Sequence, residues 1–311
     1  MEKRKKICIS LPCRNEEENI IPLTEAIINQ FEQFLPEYDY LIQFIDNDST
    51  DNTRKIIKEL CYSNTRIRAI FNAGNYRGSG YHGILNAEGD AVIAMVSDFQ
   101  DPPELIPQFV KKWEEGASVV CGVKTSSEER KAMWVIRSAY YSLISRLSDI
   151  KQIRHFTGFG LYDKRFLDIL RDMDDPLPSM RGYVAEFCPD YAKVEFRQPK
   201  RKNGRTKNNF FALFDTAMLN LTTYTKSGLR IATFFGVILS VVSVVIGLIY
   251  LILKLTHWDS FSAGMAPLLL GTFLLGGIQL LFIGFLGEYI MNINTRLRKR
   301  PLIIEKERIN F

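Results

Sequence analysis

The stretch Ser97-Asp98-Phe99-Gln100-Asp101-Pro102-Pro103-Glu104 directly follows an apolar run at 91–95. Asp98 and Gln100 place a carboxylate and an amide where a hydrophobic strand should end. Such oxygen donors suit a hard divalent cation, and they suit an ordinary loop equally well. Asp101 has a plainer reading, because Asp-Pro-Pro-Glu carries the D-x-x-E spacing of a capping box with Pro at the first helical position. Two more polar clusters follow apolar runs in the same way. One is Pro12-Cys13-Arg14-Asn15-Glu16-Glu17-Glu18-Asn19; the other is Asp46-Asn47-Asp48-Ser49-Thr50-Asp51-Asn52-Thr53. Ser49, Thr50 and Asp51 also fit the cap of a following helix.

The elements that must position these clusters are legible from the pattern. Apolar runs at 6–11, 40–45, 67–71, 91–96 and 117–121 read as strands, with helical stretches near 17–34, 52–62, 78–88 and 103–115. Strands separated by helices of this length predict a mainly parallel α/β sheet with crossover helices. Ligands of such sheets bind beyond the carboxyl ends of the strands, where all three clusters fall. Residues 129–150 and 208–224 mix aromatic with basic or polar residues. Both suit core helices, and the second, beside an apolar span, also suits a membrane interface.

The chain has 311 residues, a net charge of +5 and five scattered cysteines without a C-x-x-C pair. That excludes a disulfide framework or a zinc ribbon and fits a reducing compartment. Residues 231–253 and 260–287 carry no charge, and each exceeds the ~20 residues a bilayer-spanning helix needs. Lys226 and Arg230 precede the first run; Arg296, Arg298, Lys299 and Arg300 follow the second. The positive-inside rule then predicts two spans with both ends cytoplasmic. No apolar stretch near Met1 reads as a signal peptide. The expected organisation is a catalytic-size domain at 1–207, a juxtamembrane amphipathic helix at 208–228, a two-span hairpin at 229–291 and a cytoplasmic tail at 292–311. The basic residues cluster beside a span, so nucleic acid is excluded as a partner.

Together, in order and spacing, the three clusters resemble family 2 glycosyltransferases of the GT-A fold. The nearest branch is the polyprenyl-phosphate glycosyltransferases, which includes dolichyl-phosphate mannose synthase-like and bacterial GtrB-type enzymes. The resemblance runs over nearly the whole chain, to Gly287-Glu288-Tyr289 at the end of the second apolar run. It implies a Rossmann-like GT-A domain, a nucleotide-sugar donor (a UDP-sugar) and a Mg²⁺ or Mn²⁺ ion that neutralises the departing diphosphate. Asp98 and Gln100 match the later two positions of the family's metal motif, and Val96 stands where its first carboxylate is usual. The resemblance places Pro12, Arg14, Glu16, Asp46, Asn47, Ser49 and Asp98 at the nucleotide sugar, with Asn47 replacing a second Asp. Gly74-Asn75-Tyr76-Arg77-Gly78-Ser79-Gly80 matches a glycine-bearing segment beside the donor. Lys124, Arg137, Arg201 and Arg205 are the expected contacts of the acceptor phosphate. Asp98, Gln100, Arg137 and Glu186 are the expected catalytic set.

One departure bears on chemistry. Relatives often carry a sugar-facing D-F-R-L where this chain has Gly158-Phe159-Gly160-Leu161. A sugar-hydroxyl acceptor needs a general base. A lipid phosphate, with a second pKa of about 6, brings its own charged nucleophile. The resemblance therefore implies an inverting transfer to an undecaprenyl-type phosphate at the bacterial inner membrane, serving envelope glycans, by a protein that forms homo-oligomers. Two alternatives stay open at this point: a nucleotide- or lipid-binding membrane scaffold, and a processive polysaccharide synthase.

Overall fold

The computed structural model describes residues 4–127, 153, 155–173, 175, 178–199, 227–256, 265–297 and 301–311. Four β–α steps and a fifth strand open the chain: β1 Lys6–Cys13, α1 Ile20–Phe34, β2 Asp39–Asp46, α2 Thr53–Ser63, β3 Ile67–Asn72, α3 Ser79–Leu85, β4 Ala91–Ala94, α4 Ile106–Glu114 and β5 Val119–Ser127. A 3-10 turn at Pro103–Leu105 leads into α4. Then come β6 Phe156–Asp163, α5 Lys164–Asp172, α6 Met180–Phe187 and β7 Ala192–Gln198. The remaining elements are α7 Ser227–Thr256, α8 Met265–Leu297 and β8 Glu305–Ile309.

The eight strands form one sheet in the order β7-β5-β6-β4-β1-β2-β3-β8. β4, β1, β2 and β3 are mutually parallel, while β6 and β8 run antiparallel to their neighbours. The expected mixed α/β fold with a parallel centre is thus present. Alternation along β1 separates two apolar layers. Ile7, Ile9 and Leu11 join Ile27 of α1, Ile57 of α2 and Phe109 of α4 on one face. Cys8 joins Ile84 of α3, Leu167 of α5 and Tyr183 of α6 on the other.

The chain divides into two compact units. One comprises residues 1–142, 150–207 and 299–311; the other comprises 143–149 and 208–298. In the second, α7 and α8 expose large apolar side chains, among them Phe234, Val241 and Ile249 on α7 and Leu280, Ile283 and Ile290 on α8. Among the described residues one segment, Leu275–Thr295, is long and apolar enough to cross a membrane. α8 also runs to Leu297, ten residues beyond the uncharged stretch that marked it in the sequence. The region expected as a plain tail holds β8, which pairs with β3 from Ala69↔Ile309 to Asn72↔Glu305.

Candidate active site

Parallel pairing of β1 with β2 sets Cys13 beside Asp46, so the loops that follow grow from adjacent strand ends. They are laced together. Asn15 N–H donates to Ser49 Oγ at 2.9 Å, and Thr50 N–H donates to Asn15 Oδ1 at 2.8 Å. Glu16 N–H donates to Thr53 Oγ1 at 2.9 Å, and Asn52 N–H to Glu17 Oε2 at 2.9 Å. The third loop joins through Ser97 Oγ, which donates to the Pro12 carbonyl at 3.0 Å. Each loop holds one non-glycine residue at positive φ: Asn15 at 56°, Asp48 at 62° and Phe99 at 60°. Asn and Asp adopt this conformation readily; a bulky Phe does so only when its surroundings impose it. Such strain concentrates at functional loops, and here it separates Asp98 from Gln100.

Several residues expected at the donor also build these loops. Asp46 has no exposed surface. Its carboxylate pairs with Arg54 Nε at 2.5 Å and accepts the Ser49 N–H, which makes it a buried anchor of the loops. Arg54 extends the anchor to the Asn72 carbonyl at 2.7 Å. Asn47 uses both ends of its amide. Nδ2 donates to Asn75 Oδ1 at 2.8 Å and to the Tyr76 carbonyl at 3.0 Å, while Oδ1 accepts from Tyr76 N–H at 2.9 Å and Asn72 Nδ2 at 3.1 Å. An aspartate could not donate, which explains the amide at this position. Glu16 and Ser49 are mostly buried, Glu16 accepting from Asn19 Nδ2 at 2.6 Å. Arg14 has its Nε buried without a hydrogen-bond partner.

Beyond the ends of β1 and β4 opens a cavity of about 360 Å³. Pro12, Gln100 and Lys124, three of the site residues named from the sequence, line it together with Val96, Asp101, Thr157, Gly158, Met180, Gln198 and three residues of α3, Gly80, Tyr81 and Ile84. Asp98 is not among the lining residues. It is 8% exposed, and its Oδ1 accepts the Gln100 N–H at 3.1 Å. Asp101 does not cap the next helix: its Oδ2 accepts the Val96 N–H at 3.0 Å, and Pro102 occupies the cap position. Burial pushes the Asp101 carboxyl up to about 7, the Asp98 charge adding to this and the Val96 N–H and Lys124 opposing it.

Among the described residues no group of three or more His, Cys, Asp or Glu could hold a metal ion. With Asp101 engaged by the Val96 N–H, the loop's expected metal positions supply one carboxylate, Asp98, and one amide, Gln100. That donor set fits a Mg²⁺-like ion bound through one carboxylate, water and the substrate's own phosphates.

Gly158 and Gly160 answer the question raised by the missing D-F-R-L. Gly158 has φ +103° with open space where a Cβ would stand, so its backbone, not crowding, disfavours a side chain. A Cβ on Gly160 would lie 2.3 Å from the Val120 carbonyl oxygen. Neither position of this backbone accepts the acidic and basic side chains of that pattern. Glu186 is exposed on α6 and is absent from the cavity wall, which receives Met180 of the same helix instead. Arg137, Arg201 and Arg205 lie outside the described residues. The sequence did not single out Arg54, Asn72, Met180 or Gln198; only their placement by α2, β3, α6 and β7 reveals them.

The family described as Glycosyl transferase family 2 matches residues 8–170. The chain belongs to glycosyl transferase family 2. It is a glycosyltransferase, and the scaffold alternative is set aside. Among relatives of this family 2 member, the "Prophage bactoprenol glucosyl transferase homolog" of Escherichia coli K12 is 30% identical over 97% of this chain and 98% of its own length. The "Bactoprenol glucosyl transferase" of Shigella phage SfII is 28% identical over 97% and 98%. A solved structure of glucosyl-3-phosphoglycerate synthase from Mycobacterium tuberculosis, with Mn²⁺, UDP-glucose and glycerol 3-phosphate, covers 70% of this chain and 78% of that one, at 20% identity and TM-score 0.48.

Proposed function

We propose that this family 2 enzyme moves a sugar from a UDP-sugar to a polyprenyl phosphate at the cytoplasmic face of a membrane, anchored by a two-span hairpin. The observation that carries this reading is that relatives named for bactoprenol glucosyl transfer align over nearly the full chain, its C-terminal helices included. The cavity supports it from the chemical side. Its only carboxylate among the described lining residues, Asp101, is already engaged by the Val96 N–H, while Lys124 offers a cation. A cation in that wall suits an anionic acceptor.

An oxygen of the acceptor phosphate attacks the anomeric carbon as the bond from that carbon to the nucleoside diphosphate breaks, and the configuration inverts. A Mg²⁺ or Mn²⁺ held by Asp98 and Gln100 would neutralise the leaving diphosphate. Lys124, with Arg137, Arg201 and Arg205, orients the acceptor phosphate, so that catalysis is mostly positioning and charge neutralisation.

The test is to incubate membranes containing the protein with labelled UDP-sugars, undecaprenyl phosphate and Mg²⁺ or Mn²⁺. Label should enter a lipid that mild acid releases, and Asp98→Ala should remove most of it. Failure of every sugar in a broad panel to label such a lipid would sink the proposal.

A further inference from the structure

Helix α3 is seven residues long, too short to hold its own place without packing. One side of it faces the cavity, which Gly80, Tyr81 and Ile84 line. The other side, at the helical spacing 78, 82 and 86, is occupied by the chain's last described segment, 301–311. The Leu302 side chain sits on Gly78, where a Cβ would lie 2.7 Å from Leu302 Cδ1. Glu305 pairs with His82 Nε2. Arg308 donates to Asn86 Oδ1 at 2.9 Å and to Glu305 Oε1 at 2.6 Å. The loop entering α3 is held from both sides as well. Ala73 N–H donates to the Ile304 carbonyl at 2.9 Å, while Asn47 grips Tyr76 from the β2 side.

The strand is shaped for this contact. Residues 305 and 307 of a regular strand would share one face. The β3–β8 register shifts between Phe71 and Asn72, so Glu305 reaches His82 of α3 while Glu307 reaches Lys58 of α2 at 2.6 Å. These helices belong to opposite apolar layers. An irregularity of this kind re-aims a side chain.

We propose that segment 301–311 is a positioning element of the site: Leu302 and Glu305 fix where α3 and the donor-side loop entering it stand and thereby set the affinity for the nucleotide. The idea rests on the donor reading above. It also places that affinity under the control of a segment which enters the sheet only after the apolar helices have been made. Close packing carries the effect, since Gly83 is set so tightly on β2 that a Cβ there would meet Ile45 Cδ1 at 2.4 Å, leaving α3 no room to absorb a shift.

The experiment uses the full chain in detergent or nanodiscs, with UDP plus Mn²⁺ as the probe. Leu302→Ala and Glu305→Ala should speed hydrogen exchange of amides 73–86 and weaken UDP binding by on the order of fivefold or more. In the turnover assay they should raise donor KM with kcat little changed. Lys58→Ala, which frees Glu307 on the other face, should change neither. Adding Gly78→Ala to Leu302→Ala refills the gap and should recover part of the affinity, a coupling that general destabilisation would not produce. Unchanged exchange and affinity in Leu302→Ala and Glu305→Ala would overturn the proposal, as would an equal effect of Lys58→Ala. If UDP binds no form of the protein, wild type included, the donor reading fails, and exchange at 73–86 alone decides whether the segment positions α3.

Discussion

Asp101 shows how one side chain can invert its usual contribution. It is 3% exposed and gives its Oδ2 to the Val96 N–H. The carboxyl is raised from 3.8 to about 7, burial being the largest cause. Between these values the folded protein keeps a proton that the unfolded chain has lost. Asp101 therefore costs nothing below about pH 4, and its burial penalty grows as the pH rises towards 7. In metal-free buffer this single group should lower stability across that window by on the order of 3–4 kcal/mol. Asp101→Asn keeps an acceptor for Val96 N–H and removes the titration. Thermal unfolding of wild type and variant from pH 4 to pH 8 should give curves that converge at the acid end, with the variant the more stable at pH 8. Parallel curves would show that the carboxyl is not what loses stability.

At the scale of elements, the loops owe their shape to one buried ion pair and a lattice of backbone bonds. Arg54, on the first turn of α2, reaches back to Asp46 at the end of β2 and to the carbonyl of Asn72 at the end of β3. Arg54→Ala leaves the Asp46 carboxylate buried and unpaired, a loss of about 3–5 kcal/mol. Urea unfolding should show it, and Arg54→Lys should restore part. A change below about 1 kcal/mol would mean that the loops relax around the lost pair. The first four strands and their helices were readable because each strand is an apolar run and each helix a separate periodic stretch. β7 shows the half-buried alternation, with Val194, Phe196 and Gln198 inward, but glycines interrupt β6, Phe-Thr-Gly-Phe-Gly-Leu-Tyr-Asp. β8, Glu-Lys-Glu-Arg-Ile, has no apolar pattern and exists because the edge of β3 receives it. The loop clusters were legible as loops at the right ends of strands. Which side chains face the cavity was not, because Asp46 and Asn47 turn inward to partners on α2 and on the loop entering α3, while Asp101, read as a helix cap, lines the cavity instead.

At the scale of the whole molecule, a sheet-based unit and a pair of long helices share one chain. The helices expose many large apolar side chains, as a membrane anchor would, and under the two-span proposal the flanking cations would set the direction of insertion. The two-span proposal puts the connector, 257–264, on the side of the membrane away from the catalytic unit. The native cysteines provide a quiet background for testing this, since Cys8, Cys13, Cys61 and Cys121 are buried and only Cys188 is partly exposed. Ser260→Cys should react with a membrane-impermeant maleimide in intact cells, whereas Cys188 should react only after the membrane is opened. If position 260 also required lysis, the chain would enter without crossing twice. The catalytic unit and the connector would then share a compartment, and the positive-inside assignment from Arg296 and Arg298 would have to be abandoned.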